Sequence, residues 1–144
     1  MKFFFFPLAC IFASGFAQAS ENWPRFRGPN GGGNAESSIP AVWEKSSYRW
    51  QLPLKENGHG SPAVWGNRVF LNSSADKGQT RKVLCVDAKT GKVNWTRSYP
   101  SKTHKTHRFN SFASSTPALD AKNVYSVWGH SSELKVCAHT HEGK

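Results

Sequence analysis

The chain has 144 residues, enough by length for one domain, with 38% hydrophobic and 13% aromatic residues, 12 glycines, 8 prolines and 6 tryptophans. Ordinary hydrophobicity with this much glycine, proline and tryptophan suits short strands joined by tight turns, and no run has an apolar period long enough for a helix. The formal charge of +10 admits a polyanion as partner. The basic residues are scattered rather than gathered in a stripe, however, which disfavours nucleic acid.

Residues 1–19 read as a secretory signal peptide: Lys2 gives the charged start, 3–16 the apolar run, and Ala17-Gln18-Ala19 the small-x-small cleavage site. The run is shorter than the ~20 residues of a membrane span, so the mature chain is expected to start at Ser20, to be periplasmic or secreted, and to span no membrane. Removal of Cys10 leaves Cys85 and Cys137.

Residues 20–47 form a glycine- and proline-rich lead-in, with Trp23, Phe26, Ile39, Val42 and Trp43 as apolar anchors. A strand-like run at 48–54 resembles 92–97 and is expected to be a lone outer strand that completes the last blade of a ring. Four strands are expected next, at 61–65, 68–73, 81–87 and 92–98, followed by three more at 115–119, 123–128 and 133–139.

These two groups are related. Ser61-Pro62-Ala63-Val64 is answered 55 positions later by Thr116-Pro117-Ala118-Leu119, and Val69-Phe70 by Val124-Tyr125. Cys85, Gly91 and Lys92 are answered 52 positions later by Cys137, Gly143 and Lys144. A period of about 40–55 residues built from short strands is that of propeller blades, which bury little alone and need neighbours. The expected fold is therefore all-β: a propeller of four-stranded antiparallel blades, represented here by the lead-in, one full blade (61–99) and part of a second (115–144), as the front of a longer repeat protein. This alignment makes Cys85 and Cys137 equivalent positions of successive blades, too far apart for a disulfide, so two buried free thiols are expected.

The stretch containing Cys85, Asp87, Thr90, Gly91 and Trp95 resembles the tryptophan-docking motif of PQQ-like propeller repeats, with Cys where the motif prefers Ala. Asn22-Trp23-Pro24-Arg25-Phe26-Arg27-Gly28-Pro29-Asn30-Gly31 and Gly58-His59-Gly60-Ser61-Pro62 resemble the opening of exported bacterial proteins of that kind. The resemblance implies that Trp95 stacks between blades against the small-residue strand and the glycine turn. The second repeat keeps Gly143 but has His139 and Glu142 in place of the Asp and Thr. Trp65 and Trp128, each just before a glycine, are expected to be less buried.

The resemblance implies two functions. One is a non-catalytic binding platform of the bacterial envelope, like the relative that assists outer-membrane protein assembly, with a protein or other envelope component as partner. The other is the N-terminal part of a quinoprotein dehydrogenase oxidising alcohols or sugars. The sequence lacks adjacent cysteines, a haem-attachment site and a carboxylate cluster, so no cofactor is expected in this chain, and PQQ and calcium only if further blades supply the site. The densest recognition candidate is the acid-free loop with Lys102, His104, Lys105, His107 and Arg108, which runs into Phe109 and Phe112. Interleaved cations speak against the two loop histidines chelating a metal.

Overall fold

The computed structural model describes residues 22–35, 40–130 and 132–144. The expected signal peptide and the anchor Ile39 lie outside them. Among the described residues the chain is all-β: seven strands in two antiparallel sheets. The first sheet is a meander of β1 (Ala63–Trp65), β2 (Arg68–Ala75), β3 (Thr80–Asp87) and β4 (Val93–Pro100), and the second a meander of β5 (Ala118–Leu119), β6 (Asn123–His130) and β7 (Glu133–Thr140). Each begins within three residues of its expected start, because alternating apolar residues and turn residues mark both ends of a half-buried strand. The two sheets do not close on themselves.

Residues 48–54, expected as an outer strand, form none, and no described strand pairs with them. An extended segment becomes a strand only when a sheet edge offers its N–H and C=O groups a ladder. Trp50 instead turns onto the first sheet: its indole N–H donates to the Ala88 carbonyl at 2.8 Å, and its ring covers Gly91.

The lead-in is tied at one point. Trp23 exchanges two backbone hydrogen bonds with Val64 at the open edge of β1, and the next carbonyl, Pro24, accepts from Leu119 N of β5. The segment thus crosses the inner strands of both sheets. The other expected anchors are not buried: Phe26, Val42 and Trp43 are all more than half exposed.

Register shows how the two sheets correspond. Ala63 opposes Phe70 and Phe70 opposes Cys85; Ala118 opposes Tyr125 and Tyr125 opposes Ala138. The structural counterpart of Cys85 is therefore Ala138, not Cys137, which corresponds to Leu84. The turn after β7 is one residue tighter: Gly91 N bonds back to Asp87 O, four residues, but Gly143 N to Thr140 O, three. Matching the glycines across the shortened turn moves the cysteine match by one, and a shift of one reverses the face in a strand. The counterpart of Asp87 is likewise Thr140, not His139.

One face of the first sheet, carrying Ala63, Phe70, Cys85 and Trp95, packs on the face of the second that carries Leu119 and Val124. Between them runs a chain of ring contacts: Trp65–His141, His141–Phe70, Phe70–Trp95, Trp95–His139, His139–Tyr99 and Tyr99–Trp128, with centroids 5.3 to 6.0 Å apart. Further along the seam, Asn72 donates to Ser115 and accepts from Ser126 Oγ at 2.8 Å, which satisfies a buried amide across the sheets.

The same correspondence identifies an uncovered face. Ala63, Phe70, Asn72, Val83 and Cys85 bury against the second sheet; their counterparts Ala118, Tyr125, Val127, Val136 and Ala138 lie on its far side. There Val136 is 63% exposed and Leu134, the counterpart of Arg81, 72%.

Both thiols are free, Cys85 fully buried and Cys137 half-buried. Burial pushes the Cys85 thiol up in pKa, opposed by a hydrogen bond from Asn94. Because thiolate and access govern reactivity, native iodoacetamide labelling should modify Cys137 well before Cys85. Mass spectrometry finding Cys85 first, or a Cys85–Cys137 bond, would contradict this placement.

Candidate functional site

The residues expected to dock the repeats assemble at one end of the sheets. Asp87 closes the β3–β4 turn: one carboxylate oxygen accepts from Lys89 N, Thr90 N and Thr90 Oγ1 at 2.8 to 3.0 Å. The Thr90 bonds, with help from Lys89 and Asn67, hold the Asp87 carboxyl below the usual carboxylate range. That turn presents Gly91 at φ +72°, where a Cβ would lie 2.6 Å from the Trp50 ring.

Trp95 does not dock on this turn. It reaches from β4 across the seam to the second sheet, where its indole N–H donates to the His141 carbonyl at 2.9 Å and its ring covers Gly143. Gly143 sits at φ +84°, and a Cβ there would lie 2.8 Å from the indole. Arg97 Nε adds a bond to the Gly143 carbonyl at 2.7 Å. The loss of the Asp and Thr pattern in the second turn does not prevent docking, because backbone closure and Thr140 Oγ1, which accepts from Lys144 N, shape the turn instead. Trp50 stands to Gly91 as Trp95 stands to Gly143. Trp50 lies in the run expected as a strand, and the likeness of 48–54 to 92–97 is the sequence signal that relates it to Trp95.

Two histidines are built into this seam. His139 and His141 are 6% and 5% exposed, and His139 Nδ1 and His141 Nε2 have no hydrogen-bond partner among the described residues. Tyr99 Oη meets His139 Nε2. Burial first, and then the charge of Arg97, hold His139 below the ordinary histidine value of about 6.5. The folded protein therefore resists a proton that the unfolded chain accepts, so stability is full above about pH 6.5 and declines as pH falls below it. Denaturant midpoints should drop between pH 7.5 and 5 in the parent chain and drop less in His139→Gln. An equal drop in both would remove His139 from this role.

At the opposite end, the β2–β3 turn, the segment before β1 and the β4–β5 connection meet. The turn residues Asp76, Lys77 and Gly78 all have positive φ, at 52°, 52° and 89°. Ser101 N donates to Gln79 O and Thr103 Oγ1 to Lys77 O, which tie the long connection to this turn. Between them opens a cleft of about 850 Å³ walled by Lys55, Asn57, His59, Lys77, Arg108 and Phe112. Lys82 also lines it, paired with Glu56, as does Asp76, which accepts from Thr80 Oγ1.

The expected ligand loop is divided by this geometry. Arg108 faces the large cleft. His104, Lys105 and His107 line a second cleft of about 400 Å³ on the other side of the connection, against Trp128 and Leu134. Lys102 lines neither of these two clefts. His104 meets Phe112 edge-on, and His107 packs on Phe109. Among the described residues, no three His, Cys, Asp or Glu side chains group as metal ligands, and no helix is long and apolar enough to cross a membrane. Sequence reasoning missed Lys55, His59 and Lys77, which only the fold brings to Arg108.

Comparison with known proteins finds no match: no family model, no curated protein and no solved structure corresponds to this chain.

Proposed function

We propose that the chain is part of an exported PQQ-like β-propeller that serves as a binding platform in the bacterial envelope, with recognition carried by the loops around the two clefts. The observation that carries this reading is the recurrence of one packing device: Trp50 on the Gly91 turn and Trp95 on the Gly143 turn. A tryptophan preceding each sheet locks onto that sheet's closing turn, so successive repeats are joined in series. The uncovered Tyr125, Val127 and Val136 face, counterpart of the face already buried between the sheets, is where a further blade would pack.

The docking turns occupy one end of the sheets and the clefts the other, which leaves the cleft end free for a partner. Rigid strands then position the recognition loops. No specific observation favours the PQQ- and calcium-dependent dehydrogenase over this reading.

The test is site-specific photo-crosslinking in the producing cell's envelope. A cross-linker at Arg108 or Lys105 should give a discrete adduct, and one at Lys89, at the opposite end, should not. Adducts from Lys89 alone, or from neither end, would overturn the platform. N-terminal sequencing of the exported protein should begin at Ser20.

A further inference from the structure

Beneath the large cleft lies a buried cation with incomplete bonding. Arg81 is 1% exposed; its Nη1 donates to the Gly78 carbonyl at 2.5 Å, while Nε and Nη2 have no partner. Among the described residues, no carboxylate lies within ion-pair distance of it. Its guanidinium sits 5.0 Å from the centroid of Phe112, and Phe112 in turn lies on Gly78; both walls of the cleft thus cover the same charge. Arginine stays protonated in proteins, so this is an uncompensated charge in a medium of low dielectric.

The cleft above it is cationic as well. Among the described residues Lys55, Lys77 and Arg108 line it without an acidic partner, whereas Glu56 is held by Lys82. Asp76 is the remaining acid on its wall, against three unpaired cations and the buried arginine below. Small-molecule sites have volumes of about 300–1,000 Å³, so this one has room for a sugar-sized ligand.

We propose that this cleft binds a saccharide carrying sulfate or phosphate groups, its oxyanions held by Lys55, Lys77 and Arg108 over the field of Arg81. The Asn57 side chain on its wall offers hydrogen bonds to hydroxyls. The assignment takes its role from the platform reading, but its location rests on the cleft alone. It explains why a charge without a counterion is retained beneath Phe112: an anion in the cleft offsets it.

The test is calorimetric titration of the whole chain with a fully sulfated heparin disaccharide, its unsulfated counterpart, glucose 6-phosphate, inorganic sulfate and inorganic phosphate. The sulfated disaccharide should bind, more weakly as ionic strength rises. Arg108→Gln and Lys77→Gln should each weaken it by about fivefold, and Lys89→Gln, at the opposite end of the sheets, should leave it unchanged. Arg81→Met should lower affinity while the fold keeps or gains stability, because an apolar residue often replaces a buried charge without loss. Glucose 6-phosphate or free phosphate binding through the same residues supports the oxyanion site and identifies its source. Equal binding of the unsulfated sugar, or equal losses in Lys89→Gln and Arg108→Gln, overturns it. Absent anion binding beside a discrete Arg108 cross-link would retire the ligand class and leave the platform standing; the reverse pattern would retire the platform.

Discussion

Trp95→Ala should destabilise the chain by about 3–4 kcal/mol. The indole is half-buried, which places it at the low end for an aromatic deletion, but it holds several things at once. It donates to the His141 carbonyl, covers Gly143, and packs at 6.0 Å on Phe70 and 5.8 Å on His139. Its loss opens the seam where Phe70 and Cys85 are fully buried. Trp128→Ala makes an informative companion. Its place before a glycine suggests a surface residue, yet it is 8% exposed and stacks on Tyr99 at 5.3 Å, so its truncation should also cost more than about 2 kcal/mol. Denaturant midpoints at unchanged slope measure both. A Trp95→Ala effect within about 0.5 kcal/mol, the range of surface substitutions, would contradict the docking.

Gly60→Ala should be nearly as damaging, at about 3 kcal/mol, for a different reason. Here backbone meets backbone. His59 N and Gly60 N both donate to the Ala113 carbonyl, and Ser61 N donates to Thr116 Oγ1, so the segment entering β1 is laced to the segment entering β5. A Cβ at Gly60 would lie 2.3 Å from the Ser115 carbonyl oxygen and 3.0 Å from its carbon. Neither atom can swing aside as a side chain would, so the two entry segments must separate. Gly66→Ala is the control: its φ is +54° but nothing lies within 4 Å, leaving only the left-handed strain of about 1 kcal/mol. Equal effects at the two positions would mean that the close approach carries no weight.

The strands were legible because turn residues bound short runs rich in β-branched, aromatic and other apolar residues, and the tie of Trp23 to the inner strands agrees with its reading as an anchor. What failed did so for identifiable reasons. The Cys85–Cys137 match followed a glycine and lysine across a turn shortened by one residue, and only ladder register shows the slip. The run at 48–54 looks like a strand in one dimension, but its tryptophan serves a turn 41 positions away, and nothing local marks that. The cleft was half legible. Arg108 stands in a visibly basic loop, whereas Lys55 and Lys77 belong to separate segments whose meeting depends on the β2–β3 turn folding toward the connection. Arg81 is marked only by period two, which puts it on the face of Val83 and Cys85; its neighbour Lys82 is equally charged and 83–86 is apolar on both faces, so polarity does not tell the inward residue from the outward one.

The seam between the sheets depends most on a tryptophan of one locking onto a glycine of the next. A double-mutant cycle of Trp95→Ala and Gly143→Ala measures that lock directly. Alone, Gly143→Ala drives a Cβ into the indole at 2.8 Å; with Trp95 already removed, the clash is gone and only backbone strain at φ +84° remains. The double variant should be more stable than the sum of the single losses implies, by about 1 kcal/mol or more. Losses that add to within about 0.3 kcal/mol would show that the two residues do not meet, and would contradict the lock.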